Sequence, residues 1–264
     1  MNEIEQKLSK YVGHLVEGTL KFRNEMFVGT EAPDFELQTL DRAVVRLSDY
    51  RGKSNVVLIF GSFTCGSTVT QLRAGNPPLG SLYRRFRRKG VEFFLIYSVE
   101  MHPGEYVPRP TTFEQRVSNA ARLKKEEKVP FPILVDGIGN EVRKLYRALT
   151  NPVLIVDRNG IIVYKSSWTW APDLSQALTE LVACDRVKAK NEMVRTCYSE
   201  KLIGLTRNAK ISAQVHRRAG PEAVKTFDAL LRKEGMEANR SRSNSTARSM
   251  SSVSPDLSKV AKLS

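Results

Sequence analysis

The chain has 264 residues, 41% of them hydrophobic, with a formal net charge of +14. This length allows one or two domains, at roughly 100 to 200 residues each, and the apolar content is enough for a core. Three cysteines are too few for a secreted disulfide framework and fit a reducing compartment.

The longest apolar run, residues 56–60, is far short of the roughly 18 residues that a membrane-spanning helix needs. The start, "MNEIEQKLSK", has no apolar signal core. The expected location is therefore cytoplasmic. From Asp185 onward, 17 Lys/Arg stand against 8 Asp/Glu, so +9 of the net charge belongs to the tail. The plainer reading of that charge is a solvated, partly disordered segment. Contact with nucleic acid or an anionic membrane is the alternative.

In chain order, residues 2–24 read as an amphipathic helix, with Ile4, Leu8, Tyr11, Val12 and Leu15 at helical spacing. Phe35 and Leu37, then Val44, Val45 and Leu47, predict two short strands around a turn. Residues 56–61 predict a strand buried on both faces. A helix follows from near Cys65, broken by "GNPP" and resumed at Leu79, Leu82, Tyr83 and Phe86. Gly90 stops it. Residues 91–99 are the next buried strand. Thr112, with Gln115 three residues later, gives a capping-box start to a helix running to about Glu127.

Further strands are expected over 131–136 and in "PVLIVD" and "IIVYKS", the last two joined by an "RNG" hairpin turn. Short and long helices are expected over 140–149 and 172–184. Alternating strands and helices with a terminal hairpin predict an α/β fold, a mixed central sheet flanked by helices. Beyond 185 the extension is basic and partly helical. From Glu237 the Ser/Arg-rich stretch buries too little apolar surface to order. Arg242 before Ser245 and Arg248 before Ser251 have the form of basic-directed phosphorylation sites.

Cys65, in "FGSFTCGST", falls where a buried strand gives way to a helix. Unpaired N–H groups and partial positive charge at a helix N-terminus stabilise a thiolate, the reactive form. Ser62 and Thr64 supply hydroxyls that can donate to the sulfur or its reaction partner. Position 68 is Thr, so no C-x-x-C disulfide can form. Resolution must come from elsewhere: from an external thiol, or from Cys184 or Cys197.

The stretch "APDFELQTLDRAVVRLSDYRGKSNVVLIFGSFTC" resembles the opening of the redoxin branch of the thioredoxin fold, which includes peroxiredoxins. "FLIYSVEMHPGE", "KLYRAL" and "LIVDRNGIIVYKSSWTWAP" narrow the resemblance to the iodothyronine deiodinase family, over residues of about 30 to 182. That resemblance implies a thioredoxin-like domain over 28–185. It is preceded by the helix of 1–27 and followed by the extension (186–236) and the disordered tail (237–264).

It also implies that Ser62, Thr64 and Cys65 match a Ser-x-Thr-selenocysteine motif, with cysteine in place of selenium. Glu100 and His102 match the family's acid and histidine, and Arg116 its helix arginine. Trp168 and Trp170 are candidates for lining a substrate groove, or for packing the hairpin on the last helix. Two features depart from the pattern. Gly66 and Ser67 replace a pair of prolines, and a second histidine expected near Pro110 or Thr111 is absent.

The function implied is a thiol oxidoreductase in which Cys65 attacks a peroxide or a halogenated aromatic. It needs no bound cofactor or metal. Its partners are a small-molecule substrate, an external thiol such as thioredoxin or glutathione, and in one reading a second copy as a homodimer. The alternative is an inactive scaffold whose basic tail recruits a partner or an anionic surface.

Overall fold

Alternation along the two central strands divides the apolar residues between two cores. The computed structural model describes residues 20–148, 151–190, 192–193, 198–201 and 208–233. Strand β3 (Asn55–Gly61) is buried throughout. It pairs in parallel with β4 (Val91–Tyr97). Val57 and Ile59 with Phe93, Leu95 and Tyr97 face one core, and Val56, Leu58 and Phe60 with Phe94 and Ile96 face the other. Side chains alternate sides along a strand, so an unbroken apolar run implies cover on both faces.

The remaining strands are β1 (Glu36–Thr39), β2 (Val44–Arg46), β5 (Ile133–Val135), β6 (Val153–Val156), β7 (Ile162–Ser166) and β8 (Ser199–Lys201). They order as β2-β1-β5-β4-β3-β6-β7-β8. β4 and β5 are parallel, while β6 runs antiparallel to both β3 and β7. This is the mixed sheet expected of a thioredoxin-like fold. The "RNG" turn closes on Gly160 at φ 83°, with the Asp157 carboxylate accepting from the N–H groups of Asn159 and Ile161.

The first core is roofed by α1 (Gly66–Ala74), α2 (Leu79–Phe86), α3 (Phe113–Glu126) and α5 (Ala171–Lys188). The break at "GNPP" separates α1 from α2 as expected, and the cis peptide among the described residues is Asn76–Pro77. Thr112 caps α3 by accepting from the Gln115 N–H at 3.3 Å. The Gln115 carboxamide turns back to the N–H of Thr111, one residue earlier than a capping box predicts. The strand expected over 131–136 is shorter. Asp136 leaves it to cap α4 (Glu141–Leu145), accepting from Val142 and Arg143.

The second core is covered by α4, by the β1–β2 hairpin and by the helical residues 20–25, which bury Phe22 with Met26 just beyond. The rest of the helix expected over 2–24 lies outside the described residues, as do the Ser/Arg-rich tail, Ser245, Ser251 and Cys197. No described helix is long and apolar enough to cross a membrane.

Three elements beyond 185 were not legible as part of the domain. β8 adds to the sheet in parallel with β7. Helices α6 (Ala209–Ala219) and α7 (Pro221–Lys233) lie on the first core through Val215, Ala219 and Ala223. The expected boundary at 185 is thus crossed by main-chain pairing and by apolar packing.

Lys165 on β7 is fully buried and ties the N-terminal segment down. Its ammonium donates to the carbonyls of Phe22 and Arg23, both at 3.0 Å, and to that of Met26. Glu200 of β8 is its ion-pair partner at 3.4 Å. Replacing it with an apolar chain strands three buried acceptors. Lys165→Met is expected to destabilise the fold by about 3 kcal/mol, read as a lower midpoint of urea unfolding. An unchanged midpoint would show that these carbonyls need no donor.

Candidate functional site

Cys65 is the N-cap of α1, with extended backbone (φ −87°, ψ 108°), one turn beyond the end of β3. The strand's hydrogen bonds end at Gly61, and the chain must turn sharply to begin a helix. Gly61 permits the turn because a Cβ there would lie 2.5 Å from the Thr68 hydroxyl. Cys65 is only 4% exposed.

Burial is the largest influence on its thiol and pushes the pKa up from the ordinary value. The Thr68 hydroxyl and the main-chain N–H groups of Thr68 and Ser67, close to the thiol, pull the other way. The Glu100 charge reinforces the rise. Sequence alone suggested a thiolate favoured by the helix N-terminus. Those N–H groups are in place, but the loss of solvent outweighs them.

The hydroxyls of Ser62 and Thr64, expected to face the sulfur, face the 97–102 segment instead. Glu100 is buried at 1% exposure and gathers four donors. Its carboxylate accepts from the Thr64 N–H (3.1 Å), the Thr64 hydroxyl (2.7 Å), the Asn119 carboxamide (3.2 Å) and the Tyr97 hydroxyl. Tyr97 in turn accepts from the Phe63 N–H at 3.2 Å, and burial holds its phenol far above the usual range. The Thr64 hydroxyl oxygen accepts from the His102 N–H at 3.2 Å, and that of Ser62 from the Met101 N–H at 3.4 Å. The two sequence-distant segments are thus bolted together around the turn that presents Cys65.

Asn151 lies on the opposite side. Its carboxamide donates to the Phe60 carbonyl and, at 3.1 Å, to the hydroxyl of Thr68. Its own carbonyl accepts from the N–H (2.7 Å) and hydroxyl (3.0 Å) of Thr169. Gln71 of α1 accepts from the Ala171 N–H at 3.0 Å. The "WTWAP" segment therefore braces Thr68 and α1. Trp168 is half-buried, and Trp170, 39% exposed, caps α5.

Arg116 was a candidate for binding substrate, but its side chain is already committed. At 2% exposure, it donates to the carbonyls of Asp136 (3.1 Å) and Gly137, fixing the loop after β5. Burial lowers its pKa against the opposing charges of Asp136 and Glu100.

Cys184 is likewise misplaced for resolving Cys65. Its neighbour Asp185 accepts from Asn55, the first residue of β3, at 2.7 Å. Cys65 follows the strand's other end, and seven residues of strand span roughly 20 Å. A disulfide needs Cα atoms within about 7 Å. Cys184 instead lines an apolar cleft of about 260 Å³ with Ile155, Val163, Tyr164 and Leu181.

His102 meets residues from beyond 185. Its ring packs edge-on against His216 of α6, with centroids 4.7 Å apart, and against Phe227 of α7 at 5.5 Å. His216 is 2% exposed. Arg218 of α6 lies over the Phe63 ring at 3.7 Å and donates to the Phe63 carbonyl.

Sequence reading missed Thr68, Tyr97, Asn119 and these α6–α7 residues as parts of the site. Thr68 alone had a local signal, three residues after an N-cap. Among the described residues, no group of three or more His, Cys, Asp or Glu is placed to hold a metal ion.

Several known proteins are similar to this chain. Thiol-disulfide oxidoreductase ResA of Bacillus cereus is 27% identical over 158 residues, covering 59% of this chain and 79% of the relative. ResA of Bacillus thuringiensis subsp. konkukian is 25% identical over 56% of this chain and 75% of its own length. Among solved structures, the thioredoxin domain of a thiol-disulfide oxidoreductase from Bacteroides vulgatus overlays with a TM-score of 0.48. It is 19% identical and covers 60% of this chain and 99% of that one. The mitochondrial 2-Cys peroxiredoxin of Plasmodium falciparum gives 0.44 at 19% identity, over 64% of this chain and 100% of that one. The sequence pattern of the AhpC/TSA family matches residues 28–165. With that match over more than half its length and a lone thiol at the head of α1, the chain belongs to the AhpC/TSA family of thioredoxin-fold thiol oxidoreductases.

Proposed function

We propose that the chain reduces a small electrophile, a hydroperoxide first of all, with Cys65 as nucleophile and an external thiol as the source of electrons. The observation that carries this reading is the single buried thiol at the α1 N-cap, with Thr68 in place of a second cysteine. The thiolate attacks the distal peroxide oxygen. The O–O bond breaks, the leaving alkoxide takes a proton, and Cys65 becomes a sulfenic acid. One external thiol then condenses with it, releasing water, and a second thiol reduces the mixed disulfide to regenerate Cys65. The N–H groups of Ser67 and Thr68 and the Thr68 hydroxyl stabilise negative charge on the sulfur. Glu100, through Thr64, fixes the turn that aims it.

A thiol-disulfide exchange role, as in the ResA relatives' names, is the nearby alternative. A dithiol cycle needs a second cysteine close by, and position 68 does not supply one. The narrower deiodinase-like reading rests on the match of Ser62, Thr64, Cys65, Glu100 and His102. It is supported by the hydrogen bonds that join Thr64 to Glu100 and His102. A panel of hydrogen peroxide, organic peroxides, a small disulfide and iodinated phenols separates these readings, run with dithiol and with thioredoxin as reductants.

Cys65→Ser is expected to drop turnover on the active member of that panel to the uncatalysed rate, while Cys184→Ser leaves turnover intact. Turnover undiminished in Cys65→Ser would overturn the reading and leave the scaffold alternative standing. The pH profile follows from burial. Since the Cys65 thiol is held above its ordinary value, only the fraction that ionises reacts. The rate constant for Cys65 oxidation is therefore expected to keep climbing with pH from neutrality to about 9. A plateau already reached near pH 7 in stopped-flow measurements would contradict it.

A further inference from the structure

We infer that α6 and α7 form a cap, contributed from outside the family domain, whose docking on α1 controls access to Cys65. The AhpC/TSA match ends at residue 165, whereas the cap lies at 208–233. It packs on the first turn of the nucleophile's own helix. A Cβ at Gly66 would stand 2.5 Å from the Ser212 hydroxyl, 3.1 Å from its Cβ and 3.2 Å from its Cα. Helix α6 thus presses against the residue directly after the nucleophile, and Cys65 is closed off from solvent.

The attachments form a ring around this contact. At one edge the Asn208 N–H donates to the Thr70 hydroxyl at 2.9 Å. At the next, Arg73 of α1 and Arg218 of the cap converge on the buried Glu127 carboxylate, at 2.5 Å each, and Arg73 also reaches Gln214 at 3.0 Å. At the far edge the N–H groups of Tyr106 and Val107 donate to the Ala219 carbonyl, and Glu105 accepts from the Glu222 N–H. Gly104 and Gly220 allow this close approach. A Cβ on Gly104 would lie 2.4 Å from the Ala219 carbonyl oxygen, and Gly220 takes φ 127° between the two helices.

The docked state is also incompletely satisfied. The Ser212 hydroxyl and the Arg218 Nε are buried without a hydrogen-bond partner. Both regain water when the cap lifts, which weakens docking against release. Polar anchoring, small apolar contacts such as Val215, Ala219 and Ala223, and these two stranded groups make the cap an element able to part from the domain while the two cores persist.

The experiment reads the thiol rather than turnover, so that its failure is distinct from failure of the proposed activity. The folded full-length chain is reacted with iodoacetamide. Modification of Cys65 is followed by peptide mass spectrometry, so that Cys184 and Cys197 do not contribute. Cys65 of the unaltered chain is expected to react far more slowly than in urea. Gly66→Ala, which pushes α6 off, and Arg218→Ala, which removes an anchor, should each speed the reaction by about tenfold or more, the factor one charge-assisted hydrogen bond is worth. Adding Ser212→Gly to Gly66→Ala should slow it again. Ser212→Ala alone, which removes the stranded hydroxyl, should make the reaction slower than in the unaltered chain. The melting temperature of each variant reports folding. Equal rates for the unaltered chain and for Gly66→Ala and Arg218→Ala, all folded, would overturn the cap, as would a folded unaltered chain that reacts as fast as the unfolded one.

Discussion

One buried carboxylate holds the site in shape. Glu100 takes hydrogen bonds from the Thr64 main chain and hydroxyl, from Tyr97 and from Asn119. It thereby joins the turn after β3, the end of β4 and the helix α3. A buried carboxylate without donors is costly, whereas one with its acceptor positions filled makes the surrounding geometry hard to change. The turn so fixed delivers Cys65 to the α1 N-cap. Without Glu100, Thr64 would lose two hydrogen bonds at once and the N-cap would no longer be set by the sheet.

The electrostatics of the thiol are a contest between two effects of one location. A helix N-terminus offers an anion roughly 0.3 to 1 kcal/mol at exposed sites and up to about 2 when partly buried. Removing a charge from solvent costs several kcal/mol unless hydrogen bonds replace the lost water. At Cys65 desolvation leads, against the nearby polar groups of Ser67 and Thr68. The resting thiol is therefore protected more than activated. Its reactivity then depends on how often the site admits water and substrate, which makes the packing above α1 part of the chemistry.

The sheet and its flanking helices were legible because their signals are local. The apolar run of β3, the cap at Thr112, the break at "GNPP" and the "RNG" turn each act within a few residues. Site residues were legible as types and not as roles. Ser62 and Thr64 were visible as hydroxyls beside a cysteine, but which way they turn is decided by Glu100, some 36 residues away. Arg116 looked available because it matches the helix arginine of the resembled family. Its guanidinium is taken by two carbonyls that no local pattern predicts. Cys184 looked able to reach Cys65 until Asp185 was seen to pair with Asn55, at the opposite end of β3. The roles of His216 and Arg218 were hidden for the same reason. Their contacts close loops of more than a hundred residues, and nothing near them in sequence marks the partner.

One departure from the deiodinase-like pattern has a physical cause in α6. The pattern places proline after the nucleophile, where this chain has Gly66. Any residue with a Cβ at that position, proline included, would strike Ser212. The pattern also expects a histidine near residue 110, where this chain has none, and α6 brings His216 against His102. Gly66 and His102 both meet one helix, which lies beyond the residues that the family pattern matches. The glycine makes room for that helix, and the helix sets an imidazole against His102. A residue that looks like decay of a motif, taken singly, is what the close contact between α1 and α6 requires.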